Sequence, residues 1–241
     1  MFSRLVPAVL GLLLVLSPSV AGELKQNPKA VVELFTSQGC SSCPPADALL
    51  DELGERPDVL ALAYHVDYWD YIGWADTFGD AAHSDRQRAY AKAWKSPRIF
   101  TPQLVVNGRN GVVGSRRSEV GEALSGAELD VAVKLTPEAG MLKIAIPGVA
   151  GQQEAMVWLV CFRDRADVAI ERGENTGKTI VYTQIVLNRQ VLGMWDPVDG
   201  AELKVPLDEI MPDGANGLAI LVQREDKGLP GPILGAASYV R

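Results

Sequence analysis

Residues 30–54 read AVVELFTSQGCSSCPPADALLDELG, and this stretch carries most of the information about the fold. Its apolar start, over 30–35, predicts a buried strand. Apolar residues then recur at helical spacing, and Gly54 fits the end of the helix they define. The acidic residues of this helix are expected on its other side. The apolar positions are Ala46, Leu49, Leu50 and Leu53, and the acidic ones are Asp47, Asp51 and Glu52.

Cys40 and Cys43 stand between the predicted strand and the predicted helix, with two serines between them and two prolines after them. Unpaired backbone N–H groups and the helix dipole stabilise a thiolate at such a position. Two intervening residues on a helical first turn bring the sulfurs within bonding reach. Pro44 and Pro45 fit this turn because a proline there loses no intrahelical hydrogen bond. The motif therefore predicts a catalytic pair, in which Cys40 attacks a substrate disulfide and Cys43 resolves the mixed disulfide.

Thr101 and Pro102 form a second signal, because they directly precede a predicted strand over 104–107. A proline at the head of a strand is tolerated where the ladder does not need its missing N–H. A cis Thr101–Pro102 bond would leave backbone groups exposed to a docking peptide, whereas a trans bond would make an ordinary turn. The sequence does not distinguish the two, and we assign both residues to substrate binding.

An aromatic and acidic run follows the second predicted strand, over 65–74. Trp69 and Trp74 could form an apolar platform beside the thiols, and we assign them to substrate binding. The alternative is that these aromatics close the core, because aromatic side chains are mostly packing residues. His65 is expected to be a hydrogen-bonded core residue, with tuning of a cysteine or ligation of a metal as the alternatives.

The chain divides into two regions with different hydrophobic periodicity. Over 22–126, strands alternate with helices, which predicts an α/β domain with a parallel strand pair and a terminal antiparallel hairpin. Over 127–241, short alternating runs separated by turn residues predict an all-β, sandwich-like domain. The predicted elements are strands over 30–35, 59–66, 103–107 and 111–114, helices over 46–53, 84–95 and from 115 or 118 to 124, and later strand-like runs over 129–135, 142–146, 155–162, 179–187, 191–195, 203–207, 218–223 and 233–239.

Residues 1–21 have the pattern of a secretory signal peptide: Arg4, an apolar stretch, and the small-residue cleavage site Ser19-Val20-Ala21. The apolar stretch over 5–16 is shorter than the roughly 20 residues that a membrane-spanning helix needs. We therefore expect an exported protein, periplasmic or secreted, with no membrane association after cleavage. The formal net charge of -7 argues against a nucleic-acid partner, which would need a clustered basic face.

At the Cys-x-x-Cys and Thr-Pro motifs, the chain resembles the thioredoxin-like superfamily in its shorter, glutaredoxin-like order of elements. This resemblance implies a thioredoxin-like first domain, Cys40 as an exposed nucleophile, Cys43 as the resolving thiol, and Pro102 as a cis-proline that faces them. The chain more closely resembles DUF1223, a family of secreted bacterial proteins of unknown function. The shared segments are ELFTSQGCSSCPPAD, AYHVDYWDYIGW, RQRAYAKAW, FTPQLVVNGR and ERGEN.

The sequence therefore favours an exported thiol–disulfide oxidoreductase that acts on a disulfide-containing protein or on a small thiol substrate, with a redox partner protein as a further expectation. We expect no cofactor and no resident metal. One alternative is a protein that handles copper or another soft metal through the two thiolates. Another is a binding module in which the disulfide is static. The third cysteine, Cys161, is expected to be buried and free, although an odd cysteine also allows an intermolecular bond.

Overall fold

The computed structural model describes residues 22–241, so the segment for which a signal peptide is predicted lies outside the described residues. Within them the chain forms twelve strands and four helices. The strands are β1 Glu23–Gln26, β2 Ala30–Thr36, β3 Val59–His65, β4 Gln103–Val106, β5 Asn110–Val113, β6 Lys134–Glu138, β7 Met141–Ile146, β8 Ala155–Ala169, β9 Thr179–Trp195, β10 Ala201–Pro206, β11 Gly217–Asp226 and β12 Leu229–Val240. The helices are α1 Pro44–Gly54, α2 Ala81–Ala93, α3 Arg117–Ser125 and the short α4 Leu207–Ile210, and a 3₁₀ turn covers Asp70–Ile72.

The strands make two sheets. A nine-stranded mixed sheet has the order β1-β12-β11-β8-β9-β3-β2-β4-β5, and a three-stranded sheet has the order β10-β7-β6. Strands account for 45% of the structure and helices for 18%, so the protein is mostly β.

The first part of the large sheet has the strand directions that the sequence predicts. Strands β2 and β3 pair in parallel, with α1 as the connection between them. Strand β4 pairs antiparallel with β2 and also with β5, through a turn at Asn107 and Gly108. Both turn residues have positive φ, 48° and 65°, which the Asn-Gly pair tolerates better than other residues would.

The predicted fold class, a thioredoxin-like α/β domain followed by a separate β-sandwich, is wrong. Strand β9 pairs in parallel with β3 at Ile185 and Ala63, so strands from both halves of the chain belong to one sheet. The physical reason is that β3, a fully buried strand, would otherwise leave backbone N–H and C=O groups unpaired along its free edge. The boundary at residue 126 remains a prediction, although the sheet crosses it.

Strand β9 is also longer than predicted. The sequence analysis separated 179–187 from 191–195, but the 17 residues of β9 form one strand that pairs with β8 along its whole length. The pairing shifts register at two points, one of them between Cys161 and Phe162 of β8. These shifts let the strand continue where its hydrophobic alternation is interrupted. The resulting long hairpin carries the segment 170–178 at its tip.

The large sheet is covered on both faces. Helix α2 packs on one face, where Phe35 and Tyr64 of the N-terminal strands meet Val160 of β8. Helices α1 and α3 cover the other face over β2 and β3. The three-stranded sheet covers the same face over β8 and β11. None of the described helices has the length and apolar character needed to cross a membrane.

Candidate functional site

The Cys-x-x-Cys segment lies in the loop that leaves β2 and enters α1. Cys43 is the N-cap residue of α1, and two prolines occupy the first positions of the helix. The N–H of Cys40 donates to Ser37 O at 3.1 Å, and the N–H of Cys43 donates to Cys40 O at 3.2 Å. These two bonds make consecutive tight turns, which bring the two cysteines face to face.

Cys40 and Cys43 form a disulfide, with their Cα atoms 5.4 Å apart. The two serines between them are exposed, but Cys40 is only 1% exposed and Cys43 is fully buried. The exposed nucleophile implied by the resemblance is therefore not seen in this oxidised form, because neighbouring elements cover the sulfurs.

Gln38 connects this loop to the aromatic run. Its side-chain oxygen accepts a hydrogen bond from Trp74 Nε1 at 2.8 Å, and its side-chain nitrogen donates to Thr77 at 2.8 Å. Its backbone N–H donates to Asp76 Oδ2 at 2.7 Å. The fully buried Gln38 thus holds the segment 74–77 against the residues that precede Cys40.

Trp69 links the cysteine loop to the Thr-Pro segment. Its indole N–H donates to Thr101 Oγ1 at 2.8 Å. Its Cβ lies so close to Gly39 that a Cβ on that glycine would be 3.1 Å away. The Thr101–Pro102 peptide bond is cis, and the Pro102 carbonyl accepts a hydrogen bond from the N–H of Gly114 at 3.0 Å.

A buried polar cluster lies where β2 and β3 end. Thr36 donates to Asp47 Oδ1 at 2.7 Å, and His65 Nδ1 lies 2.8 Å from Asp76 Oδ2. Asp47 Oδ2 and His65 Nε2 are buried without a hydrogen-bond partner among the described residues. The expectation that His65 is a hydrogen-bonded core residue is confirmed.

The pKa values of the two carboxyl groups of this cluster are shifted in opposite directions. Burial raises the pKa of Asp47 to about 7, against the opposing effect of its hydrogen bond from Thr36. Burial also disfavours the charged form of Asp76, but the charge and hydrogen bond of His65, with two backbone N–H donors, outweigh it and lower the pKa of Asp76. Asp47 can therefore exchange a proton near neutral pH, while Asp76 stays ionised.

The segment between β8 and β9 also reaches the cysteine loop. Asn175 is fully buried, and its side-chain amide donates to Gln38 O at 2.9 Å and to Cys40 O at 3.0 Å. Glu174 accepts a hydrogen bond from the N–H of Ser41 at 3.2 Å. These contacts attach the tip of the long hairpin to both sides of Cys40.

The structure brings most of the predicted site residues into one region. Trp69 contacts Thr101, and Trp74 reaches the cysteine loop through Gln38. Both tryptophans are half-buried and also pack against apolar clusters, so each has a core-facing side as well as a free one.

Sequence reasoning missed three residues of this region. Asp47 was expected outside the apolar face of α1, but it is only 5% exposed because α1 also packs against β9. Asp76 lies just beyond the aromatic run, and its pairing with His65 depends on the fold. Asn175 belongs to the ERGEN segment, which resembles DUF1223 but carries no chemical pattern of its own.

No group of three or more His, Cys, Asp or Glu side chains that could hold a metal ion occurs within residues 22–241. A covalent Cys-x-x-Cys disulfide at the start of a helix, beside a buried titratable carboxyl group, defines the site instead.

The chain belongs to the DUF1223 family, described as a protein of unknown function, which it matches over residues 31–223. This span contains the cysteine loop, the aromatic run, the Thr-Pro segment and the ERGEN segment. The chain has no match among curated proteins.

Two solved structures are similar to the chain. A crystal structure of a protein from Agrobacterium tumefaciens has a TM-score of 0.79 and 33% identity, and the match covers 89% of this chain and 95% of that one. The HBP35 protein of Porphyromonas gingivalis has a TM-score of 0.57 and 14% identity, with 90% of this chain and 76% of that one covered. The second likeness is one of fold alone.

Proposed function

We propose that this protein is an exported thiol–disulfide oxidoreductase with Cys40 and Cys43 as its redox pair. The observation that carries the proposal is the disulfide across Cys-Ser-Ser-Cys at the start of α1. A pair held by consecutive tight turns can open and close without disturbing the sheet. The N-terminal signal-peptide pattern supports a location where such disulfides persist.

The exchange proceeds in two balanced steps. In the reduced protein, the Cys40 thiolate attacks one sulfur of a substrate disulfide, forms a mixed disulfide and releases the first substrate thiolate. The Cys43 thiolate then attacks Cys40 Sγ, which restores the intramolecular disulfide and releases the second substrate thiolate. The substrate gains two electrons, and the protein loses two. Run in reverse, the same steps oxidise a substrate dithiol.

Asp47 supports the second step. It follows Cys43 by one helical turn, and its backbone N–H donates to Cys43 O at 3.1 Å. Because the pKa of Asp47 is raised to about 7, the carboxylate can accept the proton that the Cys43 thiol must lose, and can return it during reduction.

Substrate binding is assigned to the surface between the tryptophans and the Thr-Pro segment. Trp69 and Trp74 each leave part of the indole ring exposed, and Thr101 is also partly exposed. Tyr71 lies between the two tryptophans in the chain and is 82% exposed, so its ring adds to the aromatic surface there. These residues form a surface that suits an extended peptide or a small disulfide, whereas Pro102 itself is buried.

The test is a redox titration of the purified protein in glutathione buffers, followed by acid trapping, alkylation and mass spectrometry of each cysteine. We expect Cys40 and Cys43 to titrate together and reversibly, with a potential above about -300 mV. The Cys43→Ser variant should accumulate a mixed disulfide between Cys40 and glutathione, whereas Cys40→Ser should accumulate much less.

Two results would contradict the proposal. The first is a pair that stays oxidised across the whole range of buffers, which would make the disulfide static. The second is a reduced pair that binds Cu(I) tightly but reacts with glutathione no faster than a free cysteine does, which would favour soft-metal handling.

A further inference from the structure

The tip of the β8–β9 hairpin contacts the cysteine loop, but it has no role in the two-step exchange described above. Asn175 is 0% exposed although it belongs to a surface turn, and both hydrogens of its side-chain amide are used on the cysteine loop. Glu174, the preceding residue, is exposed and places its carboxylate on the Ser41 N–H. Two adjacent side chains of one turn thus bind the residues on either side of Cys40 and the carbonyl of Cys40 itself.

The turn is closed by its own hydrogen bonds. The N–H of Ile170 donates to Lys178 O at 2.9 Å, and the N–H of Gly177 donates to Ile170 O at 2.8 Å. Lys178 Nζ donates to Asn175 Oδ1 at 2.9 Å, which orients the amide so that its nitrogen faces the cysteine loop. The turn therefore presents Asn175 in a fixed direction.

The position of this turn bears on access to the disulfide. Gly173 lies against Trp74, so close that a Cβ on the glycine would be 3.3 Å from Trp74 Cβ. With Cys40 at 1% exposure and Cys43 at 0%, an incoming thiolate cannot approach a sulfur in line with the disulfide bond. Some neighbouring element has to move before exchange can occur.

We propose that Glu174 and Asn175 are positioning residues of the redox site, and that a thiol reaches the Cys40–Cys43 disulfide only when their contacts with the cysteine loop break. This inference rests on the proposed function. The turn is the element that moves because its hold on the loop consists of three hydrogen bonds, one of them at an exposed residue. Trp69, in contrast, is anchored in the apolar cluster under α2, whereas Trp74 packs on the cluster that contains Ile170 of the hairpin itself.

Glu174 also affects the reduced protein. Pro44 and Pro45 have no N–H to offer, and the N–H of Cys43 is bonded to Cys40 O, so the amides of the two serines are the donors of this segment that no backbone carbonyl occupies. A carboxylate that occupies the Ser41 N–H opposes a thiolate at Cys40 by removing a donor and adding a like charge. Other charged groups face the same region from α1, from β3 and the turn after it, and from the hairpin tip; they are Asp47, His65, Asp76 and Lys178.

The experiment measures how fast dithiothreitol reduces the folded, oxidised protein and at what pH Cys40 then reacts with iodoacetamide. A dithiothreitol thiolate attacks the disulfide, forms a mixed disulfide with one cysteine and releases the other cysteine as a thiolate. The second dithiothreitol thiol then closes the dithiothreitol ring and releases the first cysteine. We expect Asn175→Ala to be reduced roughly tenfold faster, because two hydrogen bonds that hold the loop are lost. We expect Glu174→Gln to lower the Cys40 pKa by on the order of half a unit.

Glu171→Gln is the matched control, because it removes the same charge from the same exposed turn. The Glu171 carboxylate makes no hydrogen bond within the described residues, so its loss should not affect the cysteine loop. Glu171→Gln should match the parent in both measurements, and Glu174→Asp should keep the parent's Cys40 pKa. The proposal is overturned if Asn175→Ala is reduced at the parent rate and Glu174→Gln has the parent pKa. If Asn175→Ala does not fold, the comparison of Glu174→Gln with Glu171→Gln decides.

Failure of the inference is distinct from failure of the proposed function. If the proposed function is wrong, the parent and every variant fail the glutathione titration alike. If only the inference is wrong, all of them titrate, and the variants have the parent's rates and pKa.

Discussion

The side-chain amide of Asn175 donates a hydrogen bond to the carbonyl of Cys40 at 3.0 Å, although the two residues are 135 positions apart in the chain. This bond joins the tip of the long hairpin to the loop that carries the Cys40–Cys43 disulfide. A second hydrogen bond, from the same amide to the carbonyl of Gln38, also connects this loop to the C-terminal half of the chain. The site is built from both halves of the chain.

Asp47 should give the stability of the oxidised protein a pH dependence of a particular sign. In the folded protein its pKa is about 7, above the roughly 3.9 of an unperturbed aspartate, so the folded state binds the proton more tightly. The stability that this adds is complete below about pH 4 and is lost as pH rises to about 7, roughly 4 kcal/mol in all. In urea unfolding, the free energy of unfolding of Asp47→Asn should therefore rise by about 3 kcal/mol relative to that of the parent as the pH increases from 5 to 8.

The control for this measurement is Asp51→Asn, which removes a carboxylate from the partly exposed side of the same helix and leaves the buried cluster intact. Its difference from the parent should change much less with pH. An Asp47→Asn difference that is equal at pH 5 and pH 8 would show that Asp47 does not carry the raised pKa.

The ion pair of Glu33 and Arg86 should be essential for stability. Arg86 Nη2 lies 2.6 Å from Glu33 Oε1, and their side chains are 7% and 0% exposed, respectively. Removal of one partner leaves a buried, uncompensated charge, so Arg86→Met should lower the free energy of unfolding by about 3–5 kcal/mol. Because Arg86 also bonds Gln223 of β11, the loss affects the join between the two halves of the chain.

Arg88→Met provides the matched comparison on the same helix, because Arg88 pairs with Asp85 at an exposed position, where both side chains are more than half exposed. Its cost should stay below about 1 kcal/mol. The double variant Glu33→Gln, Arg86→Met should be more stable than Arg86→Met alone, since the unpaired charge is gone. Equal costs for Arg86→Met and Arg88→Met in urea unfolding would refute the assignment.

Cys161 should not react in the folded protein. It is a free, fully buried thiol whose Sγ donates to Ile210 O at 3.2 Å, and burial raises its pKa to about 11. Iodoacetamide at pH 8 should therefore leave the folded, oxidised protein unlabelled and add one label in denaturant. Rapid labelling of the folded protein at this position would contradict the buried environment and would also complicate the titration of the redox pair.

Local patterns predicted the elements around the cysteines well. The apolar run of β2, the periodicity of α1 and the Asn107-Gly108 turn each report a short-range preference, and the structure has all three. The parallel pairing of β2 with β3 also follows from local signals, because a strand, a helix and a strand in succession favour a parallel pair joined by a crossover. The disulfide follows from the spacing of Cys40 and Cys43 on a single turn.

Contacts between distant segments were not predictable in this way. The pairing of β3 with β9 depends on which strand forms hydrogen bonds with the free edge of β3. Several apolar strands in the second half of the chain have similar hydrophobic patterns, so the sequence does not single out β9. That choice made the predicted fold class wrong. It also buried Asp47, because the side of α1 outside its apolar face packs against β9 instead of facing water.

By itself, the sequence determined the Cys-x-x-Cys motif, the helix that follows it and the aromatic run beside it, because each depends on residues within a few positions of one another. Only the tertiary structure decided that the disulfide is buried, that Asp47 and His65 share one polar cluster, and that Asn175 holds the cysteine loop. Burial and long-range hydrogen bonds depend on which distant segments pack together. The nine-stranded sheet determines that packing, and it is formed by strands from both halves of the chain.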